Sequence, residues 1–300
     1  MKKYLSLVLS IIFLAVMFCG CSSNGEDNSN NQADIKYTYD SAYSGFDEST
    51  IRAYESVCEA VINGTEELRI NIGMLDNVKQ LIYTSFPLYC LISDITVNSD
   101  NSGIIIKYTQ DTDAHLKSVS DFSSRIADIQ NACGIGTVSD SEYVVNVYNY
   151  VASNIKESSE ASITSYDAIM NIGGNSYTYS NMFEYILQQS DIPAYHIIAI
   201  DSEQGAKGLS AAEINDNLYF FDVMSEYKDN AGKQLVYFGM TTDDVGTEGL
   251  TSLMLSNQQT APDASDLTFD ACRMCTSWEL KDGSLLITRN DGETVKIEIE

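Results

Sequence analysis

Thr164-Ser-Tyr-Asp-Ala-Ile-Met-Asn-Ile-Gly-Gly-Asn-Ser176-Tyr-Thr-Tyr-Ser-Asn-Met-Phe183 sets how the rest of the chain is read. A short helix around Tyr166 to Asn171 is broken by Gly173-Gly174, and a longer helix is predicted from Ser176 to Gln189. Asp191-Ile-Pro-Ala-Tyr-His196 follows and leads into three strands, Ala194 to Ile200, about Leu209 to Ile214, and Leu218 to Val223. Upstream, Ser139 to Ile155 is a helix that opens on Ser139-Asp-Ser-Glu142, the spacing of a capping box. Before it, Leu116, Val119, Phe122, Ile126 and Ile129 recur on one face of a helix from Asp113 to Cys133. Helices grouped ahead of strands indicate an α+β fold rather than a parallel α/β sheet.

Toward the N-terminus, Asp47 to Asn63 carries a helical stripe at Ile51, Tyr54, Val57, Cys58, Val61 and Ile62. Leu68 to Ile72 alternates as a strand, Leu75 to Tyr83 reads as a second helix, and Leu91–Val97 with Ile104–Tyr108 reads as a hairpin. Residues 36–135 are therefore expected to form an α+β lead-in. At the other end, Trp278 to Thr288 and Glu293 to Ile299 flank Asn290-Asp-Gly292, a hairpin signal. Residues 136–300 are expected to hold the main domain with these C-terminal strands.

The stretch from Thr164 to Phe183, with Asp191–His196 and Leu218-Tyr-Phe-Phe-Asp222 after it, resembles the transglutaminase-like superfamily over about residues 139–225. The resemblance implies a papain-like core, helices packed on an antiparallel sheet, with a Cys-His-Asp triad whose cysteine begins a helix. Laid without gaps, the cysteine position falls on Ser176, the histidine position on Lys207 and the aspartate position on Asp222. Thr178 stands where the family has glycine, and Leu209 where it has tryptophan. Two of the three triad members are thus replaced.

The replacements matter because the family chemistry uses a thiolate favoured by an imidazolium and a helix N-terminus. A serine hydroxyl needs a competent general base, and a lysine supplies one only when stripped of its charge. Read as ordinary residues, Ser176 is a helix N-cap, Lys207 a solvated loop residue and Asp222 the end of a strand. Read as chemistry, Ser176 pairs with Lys207, or with His196 from the adjacent strand, as nucleophile and base. His196 shares a strand face with Ala194 and Ile198, so it also reads as a half-buried core histidine. Tyr177 and Tyr179 flank Ser176 and are candidates, with His196, for a cleft wall. Tyr148 reads as core, and His115, on an otherwise polar helix face, as exposed.

Other constellations are excluded. Gly173-Gly174 lacks the lysine and spacing of a phosphate loop, and the Asp/Asn-rich stretches lack the terminal glutamate of a calcium loop. Cys272-Arg-Met-Cys275 has no second ligand pair nearby, so a local disulfide or two buried thiols is expected instead of a metal. No cofactor and no metal are expected. The 43 acidic residues against 17 basic, net charge -26, oppose nucleic-acid binding.

Lys2 and Lys3 precede an apolar run from Tyr4 to Phe18, about 15 residues and too short to span a bilayer. Gly20-Cys21 closes it, which resembles the lipobox of bacterial lipoproteins. That likeness implies a signal peptide over 1–20, diacylation of Cys21 and anchoring at the extracytoplasmic face of a bacterial membrane. Residues 21–35, rich in Asn, Ser, Asp and Glu, read as a tether. Together these features lead us to expect a membrane-anchored lipoprotein whose transglutaminase-like domain is inactive and binds a peptide, glycan or envelope protein. The rival is a serine-nucleophile hydrolase or amide transferase using Ser176 with Lys207 or His196.

Overall fold

The Asp47 carboxylate accepts the amide of Thr50 at 2.8 Å and starts helix α1, Glu48–Ile62, whose buried stripe includes Tyr54, Val57, Cys58 and Val61. The computed structural model describes residues 35–37, 45–201, 205–255 and 259–299, so the apolar leader, Cys21 and most of the tether lie outside the described residues. The expected strand over 68–72 shrinks to β1, Glu67–Leu68, because the Asn71 side chain accepts the Gly73 amide and begins a 3-10 turn. Helix α2, Leu75–Ser85, and the hairpin of β2, Ile92–Val97, and β3, Ile104–Tyr108, follow as the pattern predicts. β3 is the centre of a three-stranded antiparallel sheet ordered β1-β3-β2.

Helix α3, Thr112–Cys133, is capped by Asp111, and α4, Asp140–Ser153, by Ser139, which accepts the Glu142 amide at 3.2 Å. His115 departs from its expected exposure. It is 1% exposed, its Nε2 lies 2.6 Å from the Val61 carbonyl, and its ring packs on Tyr108. The helix face that looks polar in sequence is covered by the end of α1 and by β3.

Helix α5, Ser165–Ile169, and helix α6, Ser176–Gln188, precede the main sheet of β4, Ala194–Asp201, β5, Gly205–Ile214, β6, Asn217–Phe221, and β7, Leu250–Leu255. These strands are antiparallel in the order β6-β5-β4-β7. Alternate residues of each strand point to opposite faces. Ala194, Ala212, Ile214, Tyr219 and Phe221 join the large core shared with the helices. Tyr195, Ile197, Ala199, Leu209, Ala211 and Phe220 enter a second core with Met240, Val245 and Leu250. Both faces are covered, which is why β4 reads as a continuous apolar run. The large core reaches from Tyr54 in the lead-in to Ile299.

Helices α7, Val223–Asn230, and α8, Thr242–Thr247, lie between β6 and β7. At the end of the chain the expected hairpin gains a strand. Asp282-Gly283 turns the segment from Trp278 to Thr288 back on itself, so β8, Cys275–Lys281, β9, Ser284–Arg289, and β10, Thr294–Glu298, form an antiparallel meander. The architecture is α+β, with eight α-helices and antiparallel sheets among the described residues. No described helix is long and apolar enough to cross a membrane.

Candidate functional site

Helix α6 packs against β5 and β4, with Ser176 at its start beside Gly208. Gly208 on β5 makes this approach: a Cβ there would lie 2.6 Å from Tyr177 Cα and 2.8 Å from its nitrogen. The close contact brings the Gly208 amide to 3.2 Å from Ser176 Oγ, to which it donates. Ser176 is the first helical residue and not the cap. The cap is Asn175, whose Oδ1 accepts the amides of Tyr177 at 3.0 Å and Thr178 at 3.2 Å. Thr178 completes a capping box, accepting the Asn175 amide at 3.3 Å.

Lys207, expected in a loop, lies in β5 opposite Ala199, because the strand begins at Gly205 rather than near Leu209. Its ammonium forms an ion pair with the Asp222 carboxylate and donates to Ser225 Oγ at 2.6 Å. The Asp222 side chain is 3% exposed and that of Lys207 25%. Asp222 follows β6 directly and caps α7 through Oδ1, which accepts the Ser225 amide at 2.9 Å, while Oδ2 faces the lysine. One carboxylate thus fixes the start of a helix and a charge partner on the neighbouring strand.

Ser176, Lys207 and Asp222 line one cleft of about 630 Å³. Its walls come from the Glu157–Ser159 loop, the start of α6, β5, α7, Tyr237 and the segment before β7. Glu226, on the buried side of α7, braces the wall: its Oε2 accepts the Tyr237 amide at 3.0 Å and the Tyr148 hydroxyl at 3.2 Å. Burial raises the Glu226 carboxyl above its usual range. Burial first, and then its hydrogen bond to Asp229, hold the Tyr237 phenol well above the usual value.

The other residues expected on the cleft wall do not line it. Tyr179 is 1% exposed, and its hydroxyl donates to the Lys156 carbonyl and accepts the Lys156 amide. The Tyr177 ring lies beside His196, centroids 5.9 Å apart, instead of facing the cleft. His196 is buried against α6, with Nδ1 2.9 Å from Ser180 Oγ, and burial pushes its imidazole down to about 4. It makes no hydrogen bond to Ser176, and neither does Lys207, among the described residues. The pairing of either with Ser176 as a hydrogen-bonded dyad is therefore not formed. Its physical reason is the same in both cases: a nearer partner, Ser180 or Asp222, holds the side chain.

Ser225, Tyr237, Asp229 and Glu248 are cleft residues that the sequence reading missed. For Ser225 a signal existed, since Asp222-Val-Met-Ser225 has cap-to-third-residue spacing. Cys272 and Cys275 are buried free thiols, and among the described residues no three His, Cys, Asp or Glu side chains group as a metal site.

No protein-family model and no curated protein matches the chain. Among solved structures it is similar to a candidate cysteine protease from Cytophaga hutchinsonii, at 16% identity and a TM-score of 0.29, over 42% of this chain and 40% of that one. It is also similar to a candidate protease from Parabacteroides distasonis, at 9% identity and a TM-score of 0.32, over 58% of this chain and 35% of that one. The similarity thus spans 40% and 35% of the length of those two proteins.

Proposed function

We propose that this protein is a lipid-anchored binding module of the bacterial envelope, with a transglutaminase-like cleft that no longer performs nucleophilic chemistry. The observation that carries the reading is the commitment of Lys207 to Asp222 and Ser225. An ammonium held by a carboxylate is a donor, and a general base must accept a proton. Ser176 has no other base within hydrogen-bond reach among the described residues. The cap supports the same reading. Asn175 takes up the Tyr177 and Thr178 amides, two groups that would otherwise be free to stabilise an oxyanion at the start of α6.

The test is to expose the full chain to a serine-reactive phosphonate beside its Ser176→Ala and Ser225→Ala variants. No labelling is expected while the protein remains folded by circular dichroism. Labelling that disappears in Ser176→Ala would overturn inactivity and restore the hydrolase or amide-transferase reading. Anchoring rests on Gly20-Cys21 after the apolar run. Cells fed a clickable palmitate analogue should label the wild-type chain and not Cys21→Ser.

A further inference from the structure

Residues 35–37 touch two parts of the molecule that are far apart in sequence. The Gln189 side chain, 6% exposed at the end of α6, accepts the Lys36 amide through Oε1 at 2.9 Å. Its Nε2 donates to the Lys36 carbonyl, also at 2.9 Å. Gln189 thus satisfies both backbone groups of Lys36, as a paired residue on a neighbouring antiparallel strand would. Lys36 Nζ reaches Asp191 Oδ1 at 2.6 Å. Ile35 and Tyr37 pack against the large core. Burial first, and then the charge of Glu59 on α1, raise the Tyr37 phenol above its usual value, which places that side chain beside α1.

The two polar contacts differ in weight. The Asp191 side chain is 85% exposed, so its ion pair with Lys36 adds little. The Gln189 amide is buried, and both of its groups are matched by one backbone residue. We infer that residues 35–37 form a strap that closes the seam between α1 of the lead-in and the end of α6, with Gln189 as its latch. A short segment held by one latch opens locally, at far less cost than the sheet. The strap meets α6 at the end remote from Ser176, 13 residues and about 20 Å along the helix, so it opens without disturbing the cleft. It is also the joint at which the anchored segment meets the body, a role that rests on the anchoring through Cys21 proposed above.

Trypsin reads the latch at the Lys36–Tyr37 bond, because cleavage there requires the segment to leave its site. The full chain and its variants are digested briefly under native conditions. Mass spectrometry follows that bond and Lys233–Gln234, where Lys233 is exposed after α7. Gln189→Ala should speed cleavage at Lys36 about tenfold or more, and Asp191→Asn less than about threefold. Gln189→Glu, which sets a carboxylate oxygen against the Lys36 carbonyl, should behave like Gln189→Ala. None of the three should change cleavage at Lys233 by more than about twofold. Equal rates at Lys36 in the wild type and Gln189→Ala would overturn the strap. So would wild-type cleavage as fast as in a synthetic peptide of residues 32–42. Parallel acceleration at both bonds in Gln189→Ala would mean general unfolding and overturn local opening. Palmitate labelling of Cys21 reports separately on anchoring, so either conclusion can fail while the other stands.

Discussion

Replacing Lys207 by Met tests whether the cleft's lysine is structural. The substitution keeps most of the stem and removes the charge, leaving the Asp222 carboxylate, 3% exposed, with the Ser225 amide as its remaining charge-stabilising partner. Stranding one member of a fully buried ion pair costs about 3–5 kcal/mol. A quarter of the Lys207 side chain reaches solvent, which lowers the expected loss to about 2–3 kcal/mol. Asp222→Asn should cost less, about 1 kcal/mol, because asparagine still caps α7 and the released ammonium can turn to water. The double variant removes both charges, and its loss should fall short of the sum of the single losses by about 1–2 kcal/mol. Urea unfolding followed by circular dichroism gives all four stabilities. Lys207→Met within about 0.5 kcal/mol of wild type, with no coupling to Asp222, would refute the reasoning. The ammonium would then be free of structural duty, and the argument for an inactive cleft would lose its main support.

Three other predictions concern buried groups and close backbone contacts. His196 is held neutral, with its value lowered to about 4 against 6.5 in the unfolded chain, so the unfolded state binds more protons between those limits. Stability should therefore fall as pH drops from about 6.5 toward 4, by at most roughly 3 kcal/mol, and His196→Gln should flatten that limb in unfolding curves at pH 7, 6 and 5. Glu184, raised to about 8 by burial, works in the opposite sense: its contribution is lost as pH rises from about 4.5 toward 8, and Glu184→Gln should relieve the decline at the alkaline end. Gly208→Ala would set a methyl group against the backbone of Tyr177 and should cost about 2 kcal/mol or more, whereas Gly246→Ala, with nothing within 4 Å of its Cβ, should be neutral or mildly stabilising by the same unfolding assay.

The parts of the fold that were legible in the sequence carry their own local signals. Asp47 and Ser139 stand at the starts of the helices they cap, and apolar stripes mark the buried faces of α1 and α3. What was not legible depends on partners distant in sequence. Gly205-Ala-Lys-Gly208 has the composition of a loop, and it is strand because β4 pairs with it from Ala206 to Gly208 and because Gly208 lets α6 approach. Asn71 cut the strand predicted over 68–72, a case in which a side chain competing for a backbone amide outweighed alternation. His115 looks exposed beside its polar neighbours until the Val61 carbonyl and Tyr108 cover it. The segment from 223 to 255 holds α7, α8 and β7, all of eight residues or fewer, too short for periodicity to declare them.

The candidate site shows the same division. Ser176 and Asp222 were singled out by the resemblance alone, and their environments are set by residues that spacing does not reveal. Asp222 divides its two oxygens between the Ser225 amide and the Lys207 ammonium, so capping α7 and holding β5 are one task. On the proposed reading, this is how a lysine at the histidine position is tolerated. A buried aspartate beside an empty histidine position would be an uncompensated charge, and an ammonium that reaches it from β5 supplies the compensation at the expense of a proton acceptor. Restoring a base is then a matter of two positions, not one. Lys207→His alone would place an imidazole beside Asp222 and leave Ser176 a poor nucleophile, while Ser176→Cys alone would place a thiol beside a lysine already committed to a carboxylate. Only the combined variant should lower the thiol's titration relative to an ordinary cysteine, measured by pH-dependent alkylation. A combined variant that alkylates like a free cysteine would count against the alignment of Ser176, Lys207 and Asp222 with the triad.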